Sequence, residues 1–322
     1  MMSASIKKFN DIRRVVLNAR TIAVSGHVNP DGDSIGSILA LGLAFESLGK
    51  KVHILCQDEL PRNYRFLPGA ERIVKTVKKK VDLAIAVDCS IMELLGKNIS
   101  VFRKANSIFE IDHHEFRRPF GNLQLINHKA AAVGELVYIF LKKMKIKISK
   151  DIAENLLTSV IVETNLFKLA NVRSFTFEVC RDLLKTGVDY YRLVDKVYGP
   201  KTKEAMMLSA TCLLRAKFLK EGRIAWSTLT NADLVKVGAK DYDADAIANE
   251  MNSMKGVEVT VLFREKNKKI LRASLRSKGD INVGKIAQEC SGGGHFDVAG
   301  CYINNNKKSM EQLLSSVAAS LK

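Results

Sequence analysis

Ser107-Ile108-Phe109-Glu110-Ile111-Asp112-His113-His114 is a short β-rich run that ends in one acid and two imidazoles. A buried parallel strand hands over to a loop at such a point. In open α/β sheets, ligands collect in the crevice outside the carboxyl ends of the strands. Taken alone, the triplet also fits a solvated turn. Two further runs end in the same chemistry: Thr21-Ile22-Ala23-Val24-Ser25-Gly26 leads into His27, Asp31 and Asp33, and Asp82-Leu83-Ala84-Ile85-Ala86-Val87 leads into Asp88. Three strands delivering carboxylates and imidazoles to one edge predict a metal site.

Working outward, residues 21–28 read as a buried strand, and Asp33 opens an apolar-periodic helix to about Leu48, closed by Gly49. Strands follow at 52–56, 83–87, 108–111 and 122–126, with a short helix over 70–77. Strands separated by short helices indicate βαβ units and a mostly parallel sheet with helices on both faces. Residues 131–142, 151–162 and 175–185 carry the helical period. Residues 188–217, with Gly199-Pro200 and a charged helix over 201–215, read as a helical connector between two domains, 1–187 and 218–322. In the second domain, 223–230 is a strand and 243–254 an amphipathic helix. Residues 257–263 and 270–275 pair as a hairpin across Lys266-Asn267-Lys268-Lys269. This predicts a smaller C-terminal α/β domain.

Composition sets the outer bounds. At 322 residues, 47% hydrophobic and 26% charged, the chain has the make-up of a soluble globular protein with room for two cores. No apolar run approaches the roughly 20 residues of a membrane span, and the first residues lack the apolar centre of a secretory signal. Six scattered cysteines without a Cys-x-x-Cys pair fit reduced, mostly buried thiols and a cytoplasmic location. A net charge of +17 with pI near 9.6 favours a polyanionic partner. The lysines cluster at 75–80, 142–150 and 264–269, each of which also reads as a solvated face. Aromatics at 7%, with no basic–aromatic stripe, argue against a long single-strand platform. The charge supports a phosphate-bearing ligand without fixing its length.

The first motif is Gly26-His27-Val28-Asn29-Pro30-Asp31-Gly32-Asp33-Ser34-Ile35-Gly36-Ser37. A Pro/Gly loop between a strand and a helix lets two acids two residues apart turn toward one point. Asp88 adds a carboxylate and His113 an imidazole from other strands. Oxygen and nitrogen donors without thiolates suit borderline-hard divalent ions. Mn²⁺ fits this set best; Mg²⁺ is the second choice, since it usually takes fewer protein ligands and no histidine.

With Val87-Asp88, Asp112-His113-His114, Gly292-Gly293-Gly294-His295 and Ala299-Gly300 in the same order, the chain resembles the DHH/DHHA1 phosphoesterase family over nearly its whole length. That family includes RecJ-type nucleases and NrnA-like nanoRNase/pAp phosphatases. The resemblance implies a DHH domain and a DHHA1 domain with the active site in the cleft between them, and two Mn²⁺ ions. One ion would be held by His27, Asp31 and Asp88, the other by Asp33, Asp88, His113 and Glu163, with Asp88 bridging. Asp112 would act from the outer shell, and His114 would meet substrate and serve as an acid. Asn29, Ser274, Arg276, Gly293, Gly294 and His295 would bind substrate, and Arg264 could join them or face solvent. The fourth motif departs from the family's Asp-Thr-Gly: here it is Glu163-Thr164-Asn165. The longer acid implies a helix end set further back or a more weakly held second ion, and Asn165 in place of glycine implies a narrower approach.

The activity implied is hydrolysis of oligoribonucleotides of a few residues, of 3′-phosphoadenosine 5′-phosphate, or of both, by a hydroxide that two metals activate. A phosphodiesterase for linear or cyclic dinucleotide messengers is the alternative within the class, and a catalytically weak nucleotide-binding regulator the alternative outside it. Expected partners are short RNA or nucleotides, with no stable complex with long nucleic acid and no membrane; a homodimer is compatible with the resemblance.

Overall fold

The computed structural model describes residues 2–199, 201–244, 246–294 and 296–321, with the side chains of residues 2–8 excepted. The chain folds into two compact units, Met1–Gly199 and Pro200–Lys322.

In the first unit, α1 (Met2–Asn18) precedes β1 (Thr21–Ser25), α2 (Gly32–Glu46), β2 (Lys51–Leu55), β3 (Leu83–Val87), α3 (Ile99–Lys104), β4 (Ser107–Asp112) and β5 (Leu123–Ile126). Then come α4 (Val133–Lys143), α5 (Lys150–Glu163), α6 (Ser174–Leu184) and α7 (Tyr190–Tyr198). The five strands form an all-parallel sheet in the order β2-β1-β3-β4-β5. β3 is buried along its whole length, which explains why Leu83-Ala84-Ile85-Ala86-Val87 reads as an unbroken apolar run. The chain order reverses between β1 and β3, and that switch point is where an open sheet of this order leaves a ligand crevice.

α2 is buried on nearly every side and packs on α5. Glycine makes that closeness possible: a Cβ on Gly36 would fall well inside contact distance of the Asn155 carbonyl oxygen and 3.0 Å from the Ser159 nitrogen. Asp31 caps α2, accepting the Ser34 N–H at 3.0 Å, so the helix starts one residue before Asp33. Gly49 has φ of 72°, the left-handed stop expected of it.

The second unit contains α8 (Lys203–Leu214), β6 (Lys217–Leu219), β7 (Ile224–Leu229), α9 (Asn231–Val237), α10 (Ile247–Asn252), β8 (Val259–Asn267), β9 (Ile270–Ser277), α11 (Val283–Glu289), β10 (Gly293–Gly294), β11 (Val298–Asn304) and α12 (Lys307–Ser320). Its six-stranded mixed sheet runs β10-β11-β9-β8-β7-β6, with β7 and β8 parallel and the other neighbours antiparallel. The hairpin expected across residues 266–269 is the β8–β9 pair.

Several local expectations are corrected. The first strand ends at Ser25, which frees His27 for a loop. The helix expected over 70–77 is only a 3₁₀ turn, Ala70–Arg72, because Val74 leaves it to bridge to Leu55. The helix expected over 243–254 divides into a 3₁₀ turn, Asp241–Ala244, and α10. Within the glycine run, Gly293 and Gly294 pair with Gly300 and Ala299 as the short strand β10. No helix among the described residues is long and apolar enough to cross a membrane.

Candidate metal centre

Three neighbouring strands end at one edge of the parallel sheet, and the residues just beyond them converge. After β1, His27 sits half-buried with Nδ1 2.8 Å from the Val28 carbonyl oxygen, which fixes the ring and presents Nε2 to the carboxylates. Nε2 lies 3.3 Å from Asp88 Oδ2 and 3.8 Å from Asp31 Oδ1. After β3, Asp88 takes a left-handed backbone conformation, φ 57°, while its N–H donates to the Ile111 carbonyl at 3.0 Å. Asp tolerates that conformation better than most residues. After β4, His113 Nδ1 lies 3.1 Å from the Ala130 carbonyl oxygen. Its Nε2 is 3.8 Å from Asp88 Oδ1, 4.0 Å from Asp33 Oδ2 and 3.7 Å from Glu163 Oε1. His114 Nδ1 is 2.7 Å from Asp112 Oδ1 and 3.6 Å from Asp88 Oδ1.

Asp33 is fully buried yet hydrogen-bonded on all sides. It accepts the Val133 N–H (2.8 Å) and Gly134 N–H (3.2 Å) at the start of α4, the Ser159 hydroxyl (2.5 Å) and the Ser37 hydroxyl (3.3 Å). Free amides at a helix N-terminus suit a carboxylate. Three sets of side chains could therefore hold a metal ion: His27 with Asp31 and Asp88, Asp33 with His113 and Glu163, and Asp88 with His113 and His114. Within each set the donor atoms lie within 4.8 Å of one another. Asp88 and His113 each belong to two of the three.

The protonation of these groups shows how crowded with anions the site is. Burial disfavours charge on His27, but its pairing with Asp31 and Asp88 outweighs that and pushes its pKa up to about 11. Burial and then the adjacent Asp88 charge push Asp33 up to about 7, against the pull of His113 and Ser159. Asp88 goes the other way: burial opposes its charge, but His27, His113 and His114 hold it well below the usual carboxylate range. His114 is raised despite burial by its bond to Asp112 and the Asp88 charge. A site that draws a proton onto a buried imidazole and onto a buried carboxylate is one where a divalent cation can replace those protons. Cys89, next to Asp88, plays no such part; burial and the surrounding acids keep its thiol protonated, and its Sγ lies 3.3 Å from the Val87 carbonyl oxygen.

Asp112 attaches to His114 rather than to the ring of His113, whose Nδ1 faces the Ala130 carbonyl instead. Glu163 is the last residue of α5, and its longer side chain reaches the Asp33–His113 group from there. Asn165 is exposed with φ of 44°, so the demand at that position is on the backbone, and Asn is among the side chains that accept it. Asn29 is exposed beyond β1 with φ of 53°, its N–H donating to Asp58 at 2.7 Å.

In the second unit, Ser274 and Arg276 lie on β9, facing Gly300 and Val298 of β11. Arg276 donates to the Asn249 side chain and to the Leu275 carbonyl. A Cβ on Gly294, φ 144°, would collide with the Val298 carbonyl oxygen, so a close backbone approach requires glycine there. His295 lies outside the described residues. Arg264 is buried on Asp241, at 2.7 Å, instead of facing solvent. Ser159 and the Ala130 carbonyl had no part in the sequence reading, and Ser37 entered it only as the last residue of the first motif. Their one signal is a set of small polar residues on buried helix faces: Ser37 on α2, and Thr158 and Ser159 on α5.

The parallel sheet, the mixed second sheet and the acid–imidazole cluster at the strand ends define a metal-dependent phosphoesterase of the DHH class. The family model described as the DHH family, N-terminal domain, matches residues 21–161, and that described as the DHHA1 domain matches residues 227–322; the chain belongs to this family. It is similar to the bifunctional oligoribonuclease and PAP phosphatase NrnA of Thermus thermophilus, 27% identical over 306 residues, 93% of this chain and 90% of the relative. It also resembles the cyclic-di-AMP phosphodiesterase GdpP of Geobacillus thermodenitrificans, at 24% over 91% of this chain and 46% of the relative. A probable manganese-dependent inorganic pyrophosphatase of Bacillus pumilus matches at 25% over 74% of this chain and 80% of its own. In three dimensions, an exopolyphosphatase-related protein of Bacteroides fragilis shares the fold with a TM-score of 0.89 at 23% identity, covering 98% of this chain and 95% of that one.

Proposed function

We propose that the protein is a Mn²⁺-dependent phosphoesterase that hydrolyses short oligoribonucleotides to mononucleotides and 3′-phosphoadenosine 5′-phosphate to AMP. The observation that carries this reading is the position of Asp88, whose Oδ2 lies 3.3 Å from His27 Nε2 and whose Oδ1 lies 3.8 Å from His113 Nε2. The similarity to NrnA over nine-tenths of both chains supplies the substrate class. In this reading His27, Asp31 and Asp88 hold one ion and Asp33, Asp88, His113 and Glu163 the other. The oxygen-and-imidazole donor set suits Mn²⁺, and the manganese-dependent relative points the same way. Bound ions would activate water and neutralise the phosphoryl oxygens.

The chain's own part follows from its geometry. Asp33 is held by the start of α4 and by Ser159, so its donor atoms stay in place as ions come and go. The Val28 and Ala130 carbonyls aim the two ligating rings. His114, turned by Asp112, supplies a proton to the leaving oxygen. Residues 1–187 would be catalytic, 188–217 the connector and 218–322 substrate-binding, with Asn29, Ser274, Arg276, Gly293, Gly294 and His295 receiving the nucleotide and its distal phosphate.

A second substrate reading, linear or cyclic dinucleotide messengers, is favoured by the likeness to the cyclic-di-AMP phosphodiesterase over 91% of this chain. Product analysis with Mn²⁺ on two- to five-residue RNAs, 3′-phosphoadenosine 5′-phosphate and cyclic and linear dinucleotides separates the two. Asp88→Ala should abolish metal-dependent turnover, and activity retained in that variant would refute the bridging role. Binding of all substrates without turnover of any would leave a nucleotide-binding regulator instead.

A further inference from the structure

We propose that Arg117 is a positioning residue for this reaction: it clamps Asp112 so that Asp112 holds the His114 ring in one orientation and one tautomer. The inference rests on the phosphoesterase reading above, in which His114 handles the proton of the leaving group.

Arg117 lies in the loop between β4 and β5, yet its side chain is only 7% exposed. It is folded back under the strand end, where Nε donates to Asp112 Oδ2 at 3.2 Å and Nη2 lies 3.0 Å from Glu110 Oε2. Glu110 and Asp112 are two residues apart on β4, so strand alternation puts both carboxylates on the same face. Both are completely buried. Two anions on one buried face need a cation, and the planar guanidinium fork reaches two acceptors at once where a lysine ammonium would not.

Asp112 is thereby engaged from opposite sides. Oδ2 takes Arg117, while Oδ1 takes the His114 ring nitrogen at 2.7 Å and the backbone N–H groups of His113 and His114 at 2.8 and 3.3 Å. Glu110 is anchored at its other end by the Phe120 N–H, at 2.9 Å. Beyond their mutual ion pair, Glu110 Oε2 and Arg117 Nη2 have no hydrogen-bond partner, so each depends on the other. The result is a line of contacts, Glu110–Arg117–Asp112–His114, ending beside Asp88. An apolar trio of the same volume would serve stability as well or better, because burying charges costs desolvation. What an apolar trio cannot do is fix the carboxylate's rotation. With Oδ2 occupied, Oδ1 can accept only from the His114 side, which keeps one proton on His114 Nδ1 throughout, so that the proton passed to the leaving oxygen is a second one carried on Nε2 and the ring is left as the Nδ1–H tautomer.

The test uses the full chain. Arg117→Met removes the clamp, and Glu110→Gln/Arg117→Met removes it while also removing one of the stranded charges, with an acceptor left for the Phe120 N–H. Both should lower kcat for a dinucleotide with Mn²⁺ by roughly 10- to 100-fold, the usual cost of losing an outer-shell partner, with KM changed less than threefold. Added guanidinium ion should restore part of the lost kcat to Arg117→Ala, and Arg117→Lys should recover little. A second readout needs no turnover: long-range ¹H–¹⁵N spectra should show His114 as a single Nδ1-protonated form in the parent and as a mixture in the double variant. If the parent hydrolyses none of the substrates, the functional reading fails while the spectra still decide the clamp. Unchanged His114 signals in a folded double variant, or an unchanged kcat where the parent is active, would overturn the proposal.

Discussion

Asp33→Asn isolates the electrostatic cost of the metal centre. The wild-type carboxyl is fully buried and raised from 3.8 to about 7, first by burial and then by the Asp88 charge. A folded-state pKa raised that far costs folding about 4 kcal/mol once the group is ionised. Because the folded form holds the proton more tightly than the unfolded chain, the cost is absent below about pH 4, grows as pH rises and is complete above about pH 7. Asparagine with its oxygen in the Oδ1 position removes the charge and keeps an acceptor for the Gly134 N–H and the Ser159 and Ser37 hydroxyls. Its NH₂ then faces the Val133 N–H, which loses its partner at about 1–3 kcal/mol. The net expectation for metal-stripped protein is a gain of about 1–3 kcal/mol at pH 8 and a loss of similar size at pH 4. Urea unfolding followed by circular dichroism in chelating buffer at both pH values measures it. A variant whose stability relative to wild type is the same at pH 4 and pH 8 would refute the reasoning, because the charge would then carry no cost.

Gly36→Ala should destabilise the first unit by about 3 kcal/mol, the upper end of overpacking, because the new Cβ meets the backbone of α5 at Asn155 and Ser159; a thermal melt checks it. Calorimetry of Mn²⁺ binding in buffers of different ionisation enthalpy should show one proton released per protein at pH 8, from His27, and close to two at pH 6, where Asp33 is also protonated. Affinity should accordingly weaken as pH falls. Glu163→Asp draws the carboxylate back from His113, now 3.7 Å away, and should weaken one of two Mn²⁺ binding steps about tenfold, read by titration; tighter binding would mean that the longer acid is a handicap.

The reading that a residue's own neighbourhood can carry was correct in kind. β1, β3 and β4 are apolar runs that stop at polar residues, and parallel strands buried on both faces can be written in few other ways. What depended on long-range packing was missed. Ser159 stands 126 residues from the carboxylate it serves, and nothing in its helix marks it except that it is buried. Arg264 sits near a turn in the sequence, yet tertiary contact with Asp241 buries it. Beyond the 3₁₀ turn at Ala70–Arg72, Ile73, Val74, Thr76 and Val77 are β-branched, and the bridge from Val74 to Leu55 takes the chain into an extended path.

By itself, the sequence determined the alternation of strands and helices and the types of donor placed at the strand ends, because apolar period and residue chemistry are local properties. Only the tertiary structure decided which donors share an ion-sized space, which oxygen of Asp112 faces His114, and which amides and hydroxyls hold Asp33. Those depend on parallel register and on how closely α2 meets α5 at Gly36, and a distance of a few ångströms between residues a hundred apart is set by the packed whole.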